Sequence, residues 1–163
     1  MCIRDRKDMN KKGFTLVELV VVIAIIGALA AILVPTMMSY IRKAKLKGAN
    51  SNAKIVFNTV NAVASDMQCE GNDIDVQSCT AVVDCTAEPD ESKKLEKAVH
   101  DALNVNGDNA GYAFWIAGED GRYKLAQWCD TSSPRSKGIV GQYPDPANKP
   151  DDLPENFSWG VKF

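Results

Sequence analysis

Between Phe14 and Met38 lie 25 residues whose only formal charge is Glu18. Few folds accommodate a run so long and so apolar. It reads as a membrane-spanning helix, since about 20 such residues suffice to cross the hydrocarbon layer. A lone carboxylate near the start of such a helix is costly in lipid, so Glu18 is a functional residue by default. What it pairs with, and what the remaining residues do at the end of a membrane stalk, are the two questions the chain poses.

Of the 163 residues, those left after the stalk make one domain. The whole-chain charge of −2 conceals a strong segregation. Residues 1–13 hold five basic and two acidic side chains, and residues 42–54 hold five basic and none acidic. From Ile55 onward there are 9 Lys/Arg against 18 Asp/Glu. That acidic head argues against a broad nucleic-acid surface, which requires basic charge, and no nucleic acid is expected as its partner. Basic residues before the apolar run keep residues 1–13 cytoplasmic and export the rest. The second basic cluster runs against this rule, although long domains cross largely regardless of charge.

Export agrees with the cysteines. Cys69, Cys79, Cys85 and Cys129 in a small exported domain favour two disulfides with three possible connectivities, and the reading leans to Cys69–Cys79 and Cys85–Cys129. A zinc site competes poorly, because no CxxC pair is present and His100 is the only histidine. No cofactor is expected.

Met1–Asp8 reads as an upstream extension, because Met9-Asn10-Lys11-Lys12-Gly13 is by itself a complete short basic leader; a start at Met9 is expected. A secretory signal peptide fits poorly, since Gly13, the candidate small residue at a cleavage site, precedes the apolar region. Beyond the membrane the positions Ile41, Ala49, Ala53, Val56, Phe57, Val60, Ala64 and Met67 recur at three- and four-residue steps, so the helix should continue to about Gln68, with Gly71-Asn72-Asp73 as its stop. Gly27 and Pro35 are breakers inside it, and a bend or local melting is expected at Pro35. Membrane helices also tolerate both residues. Residues 69–89 form a cysteine-bearing loop with a short strand at 80–83. A second helix spans 90–103, with Leu95, Ala98, Val99, Ala102 and Leu103 on one face, ended by Asn106-Gly107. His100 lies beside that face as a surface residue. Residues 112–117 and 122–129 flank Gly118-Glu119-Asp120-Gly121 as a hairpin, with further strands at 138–143 and 157–163. The fold is α+β, a long N-terminal helix packed on a small antiparallel sheet.

Gly-Phe-Thr-Leu-Val-Glu at residues 13–18, preceded by basic residues and followed by the apolar helix, resembles the type IV pilin family, which includes the pseudopilins. The resemblance covers roughly Lys11–Ala53. It implies a leader over 1–13, a transmembrane and fibre-core helix over 14–38, its amphipathic continuation over 39–68, and a pilin-like globular head over 69–163. It also implies cleavage between Gly13 and Phe14 by a prepilin peptidase, N-methylation of Phe14, and pairing of Glu18 with the amino group of Phe14 on a neighbouring subunit. Melting between Gly27 and Pro35 on assembly follows from it as well. Its partners are identical subunits and related pilins, the peptidase, the pilus assembly machinery and, before assembly, membrane lipid. The precursor is expected in the cytoplasmic membrane and the product in an extracellular filament.

Three alternatives accompany the pilus subunit. A type II secretion pseudopilin could carry calcium near its end, where Asp145, Asp151, Asp152 and Glu155 gather without recognised ligand spacing. A DNA-uptake or adhesive minor pilin would draw on Arg135 and Lys137 near Trp128. A membrane-anchored enzyme lacks a Ser/His/Asp set and a phosphate loop, and Trp115, Trp128 and Trp159 fit a core better than a ligand stack.

Overall fold

A computed structural model describes residues 13–70, 81–105, 110–118, 122–134, 138–150 and 153–163. The chain forms two compact units, Met1–Ser39 and Tyr40–Phe163. Helix α1, Leu16–Cys69, contributes to both. Among the described residues it is the single helix long and apolar enough to cross a membrane.

In the first unit the helix has no inward face. Val20, Ile23, Ile26, Leu29, Ile32 and Leu33 are all exposed, on every side of the axis. Among the described residues nothing covers them, as expected of a segment whose solvent is lipid or other helices. Secondary structure is unbroken through Pro35, so the local melting expected there does not occur in the single chain. Beside it, the Thr36 hydroxyl donates to the carbonyls of Leu33 (2.9 Å) and Ile32 (3.4 Å). Such back-bonding supplies donors to a stretch in which Pro35 offers no N–H.

In the second unit α1 buries Leu46, Ala49, Ala53, Val56, Val60 and Ala64. The stripe matches the sequence-based one except at its start, where Ile41 is exposed because the head's core begins a turn later, at Leu46. Helix α2, Lys94–Asn104, buries Val99 and Leu103 in the same cluster. It begins four residues later than expected. The Asp90 carboxylate accepts hydrogen bonds from the Ser92 hydroxyl and amide, an Asx turn that holds residues 90–92 out of the helix. Those same bonds, the hydroxyl foremost, keep the Asp90 carboxyl below its ordinary range. The expected stops at Gly71–Asp73 and Asn106-Gly107 lie outside the described residues.

Four antiparallel strands form one sheet in the order β1-β2-β3-β4: Val83–Asp84, Tyr112–Ala117, Tyr123–Cys129 and Gly141–Tyr143. The central hairpin pairs Tyr112 with Cys129 and Trp115 with Ala126, with an irregularity at Ile116/Ala117. Gly118 N–H donates to the Arg122 carbonyl at 2.6 Å, where the hairpin turns. Ala113, Trp115, Ala126 and Trp128 face the α1 stripe, and Trp128 Nε1 donates to the Ala110 carbonyl at 2.8 Å. Phe57 of α1 meets Tyr143 edge-on, ring centres 5.0 Å apart. The first and last strands are shorter than the sequence suggested.

Residues 157–163 are a correction: they form no strand. They lie instead as a turn-rich strap, with Phe157 packed against Cys129 and Val140 and Trp159 against Phe114. A turn from Ser158 to Val161 and a left-handed Gly160 (φ 87°) take the backbone out of ladder geometry. The strap's backbone bonds to side chains instead. Gln127 donates to the Val161 carbonyl (2.9 Å) and accepts from Gly160 N–H (2.8 Å). Gln142 does the same for the carbonyl and N–H of Phe163, at 2.5 and 3.3 Å. Both glutamines are fully buried, and a buried amide is tolerated only when its bonds are made.

Candidate functional site

The start of α1 is built by its own sequence. Thr15 immediately precedes the helix and Glu18 is its third residue, the spacing of a capping box. Glu18 Oε2 accepts from the Thr15 N–H (2.8 Å) and hydroxyl (2.7 Å), and the same hydroxyl accepts from Glu18 N–H at 3.2 Å. The carboxylate also sits where the helix dipole favours negative charge. So Glu18 has a resting partner inside the single chain, which the reading of Glu18 as a charge in lipid missed. Thr-x-x-Glu was the signal for it. Both bonds use Oε2. Oε1 has no partner among the described residues.

Around this cap, Phe14 is 89% exposed. A side chain built on Gly13 would meet nothing within 4 Å, so its lack of one is not required by the fold. The residues Gly13, Phe14, Thr15 and Glu18 thus form one open N-terminal segment beside an apolar helix. Arg4 to Lys12 lie outside the described residues.

In the head, the described ones among the sequence-based site residues do not converge. Asp145 pairs with Lys162, and Glu155 is exposed; Asp151 and Asp152 lie outside the described residues. Among the described residues no three His, Cys, Asp or Glu side chains gather as a metal site. His100 contacts Asp101 (3.1 Å) and Asn104 (2.8 Å) on the surface of α2. Trp115 and Trp128 are core residues, and Trp159, within the strap, is half-buried against Phe114. Arg135 and Lys137 lie outside the described residues.

The cysteine expectation changes. Cys69, Cys85 and Cys129 are free thiols, so the Cys85–Cys129 bond is not formed. Its obstacle is strand parity. Cys85 packs with Val99, Ala113 and Trp128 on the α1 side, whereas Cys129, next in chain to Trp128, points to the strap side with Val140 and Phe157. Cys79, the expected partner of Cys69, lies outside the described residues. Burial pushes both inner thiols up to about 12 from an ordinary 9.0. Between those values an unfolded chain releases thiol protons that the folded chain retains. Head stability should therefore fall as pH rises above 9, by at most about 1.4 kcal/mol per pH unit for each thiol. Denaturant midpoints from pH 8 to 11 check this, and Cys85→Ala/Cys129→Ala should flatten the decline.

Asn50 was also missed. Its Oδ1 accepts from Gln142 N–H (3.1 Å) and Ala147 N–H (3.2 Å), and its Nδ2 donates to the Ala147 carbonyl (2.9 Å). One side chain thus ties α1 to β4 and the loop that follows it.

Known proteins match part of the chain. The family model described as the prokaryotic N-terminal methylation motif matches residues 8–34. The chain is 40% identical over 68 residues to the type IV major fimbrial protein FimA of Dichelobacter nodosus, covering 42% of each. To the type IV major pilin protein PilA of Myxococcus xanthus (strain DK1622) it is 36% identical over 62 residues, 38% of this chain and 28% of that one. With fimbrial protein Q of Moraxella bovis it shares 60% identity over 35 residues, 22% of each. The chain thus spans about two fifths or less of the length of these relatives. No solved structure matches. A methylation motif thus stands at the capped, open start of an uncovered apolar helix, in a chain that is similar over part of its length to type IV fimbrial and pilin proteins.

Proposed function

We propose that this chain is a structural subunit of a type IV pilus, stored in the cytoplasmic membrane through α1 and then assembled into an extracellular filament. The observation that carries the reading is the apolar surface of α1. From Leu16 to Ile41 it is exposed on all sides, beginning three residues after Gly13. Such a surface requires lipid in one state and other helices in the next. A prepilin peptidase cuts between Gly13 and Phe14, and Phe14 is N-methylated. Glu18 keeps its contact with Thr15 in the membrane. On assembly its free Oε1 receives the Phe14 amino group of a neighbouring copy. Identical subunits, related pilins and the assembly machinery are the partners, and subunits that pack without closing a ring extend into a fibre.

Substituting valine at Gly13 tests the processing step. Gly13 has open space around it, so Gly13→Val should fold normally. Full-length precursor should then accumulate in the membrane fraction, with no mature subunit detectable by mass. Normal cleavage of this variant would refute the assignment of the site. Immunogold labelling along whole fibres is the matching result for the native protein.

A further inference from the structure

The basic cluster beyond the apolar run is used neither by cleavage nor by Glu18. Arg42, Lys43, Lys45 and Lys47 fall within six residues of α1 with no acid among them. Lys43, Lys45 and Lys47 are exposed, and the ion pairs Lys93–Glu96, Lys97–Glu91, His100–Asp101 and Lys162–Asp145 involve none of these three. Export orientation does not need cations on this side; they oppose the usual bias.

Their spacing says what they meet. Successive members are two residues apart, so each leaves the helix about 200° from the last. Lys43 and Lys47 share one flank, and Lys45 takes the opposite one. A protein partner docks on one face and is met by cations at three- and four-residue steps. A headgroup layer surrounds a helix and is met from several sides. The depth agrees. Leu16 to Ile41 is 26 helical residues carrying one charge, a path of about 39 Å, close to the span of about 40–45 Å for hydrocarbon plus headgroups. Lys54, seven residues on, behaves differently: its amine lies 5.7 Å from the centre of the Tyr143 ring, within the head's own surface.

We propose that Lys43, Lys45 and Lys47 form a collar that binds the phosphates of anionic phospholipids in the leaflet on the head side. The collar fixes the depth of the stored subunit and must release its lipids on assembly. The proposal rests on the membrane-storage reading above.

The test reconstitutes the full-length chain, as Arg4→Gln/Arg6→Gln/Lys7→Gln/Lys11→Gln/Lys12→Gln to silence the leader side, into phosphatidylcholine vesicles. Trace spin-labelled phosphatidylglycerol or phosphatidylcholine reports the motionally restricted lipid shell. Phosphatidylglycerol should be enriched on the order of fivefold at low salt, what one well-seated lysine contributes, and the excess should fade as salt rises. Adding Lys43→Gln/Lys45→Gln/Lys47→Gln should bring the ratio to about one. An unchanged ratio in that variant overturns the proposal. So does an unchanged ratio accompanied by loss of subunit cross-linking, which would assign the collar to the acidic head of a second copy. Release of the parent chain by alkaline carbonate is a separate readout, and it would overturn the membrane-storage reading itself.

Discussion

Glu18→Gln should leave a processed, membrane-inserted subunit and no filaments. The choice of glutamine matters, because a capping box accepts Glu or Gln at this position. The amide oxygen can still take the Thr15 N–H and hydroxyl bonds that Glu18 Oε2 accepts at 2.8 and 2.7 Å. The start of α1 is therefore preserved while the charge is lost. If the role of Glu18 in assembly is ionic pairing with the Phe14 amine of a neighbour, sheared-filament yield should drop to that of cells lacking the subunit. Thr15→Val is the complementary variant. It removes the hydroxyl but keeps the N–H and the carboxylate, so filaments should persist in reduced number. Electron microscopy with membrane fractionation reads both variants. Abundant filaments from Glu18→Gln would sink the ionic pairing and leave Glu18 as a helix cap alone.

The cap also shows how a sequence can be read correctly and incompletely. Glu18 was singled out because a charge in an apolar run is conspicuous. Its partner Thr15 is three residues away and equally visible in the sequence, because a capping box is a local pattern that operates inside an apolar run as it does in water. The stalk and the 112–129 hairpin were legible because their signals are local: an uninterrupted apolar run, and alternation flanked by glycines. The strap at 157–163 carried a true signal that misled. Phe157, Trp159 and Phe163 do alternate, and their rings do pack with one another under the sheet. What alternation cannot show is that the backbone bonds run to the amides of Gln127 and Gln142 rather than to a strand. The thiol pairing failed for a related reason. Parity along β3 puts Cys129 opposite Trp128, and only the packing of Trp128 on α1 decides which side that is. Buried amides and side-chain parity are properties of the assembled head.

Of the described glycines, Gly141 has the least room, where α1 crosses β4, and Gly141→Ala should expose it. A Cβ at Gly141 would lie 2.0 Å from the Ala49 carbonyl carbon, 2.1 Å from its oxygen and 2.3 Å from Asn50 N. All three are helix backbone, which cannot rotate away as a side chain can. Nor can the helix retreat freely, since its own Ala49, Ala53 and Val56 are buried in the head's core and Asn50 ties it to Gln142 and Ala147. The expected cost is about 3 kcal/mol, the upper part of the overpacking range. Guanidinium unfolding of the full chain in detergent, followed by the near-ultraviolet signal of Trp115 and Trp128, measures it. Gly27→Ala is the control: nothing lies within 4 Å of its added carbon, and the head's transition should not move. A second variant fixes the cause. Ala49→Gly added to Gly141→Ala removes a methyl group but none of the three clashing atoms, so it should give no rescue. Recovery in that double variant would mean that side-chain crowding, not backbone contact, had set the distance between helix and sheet.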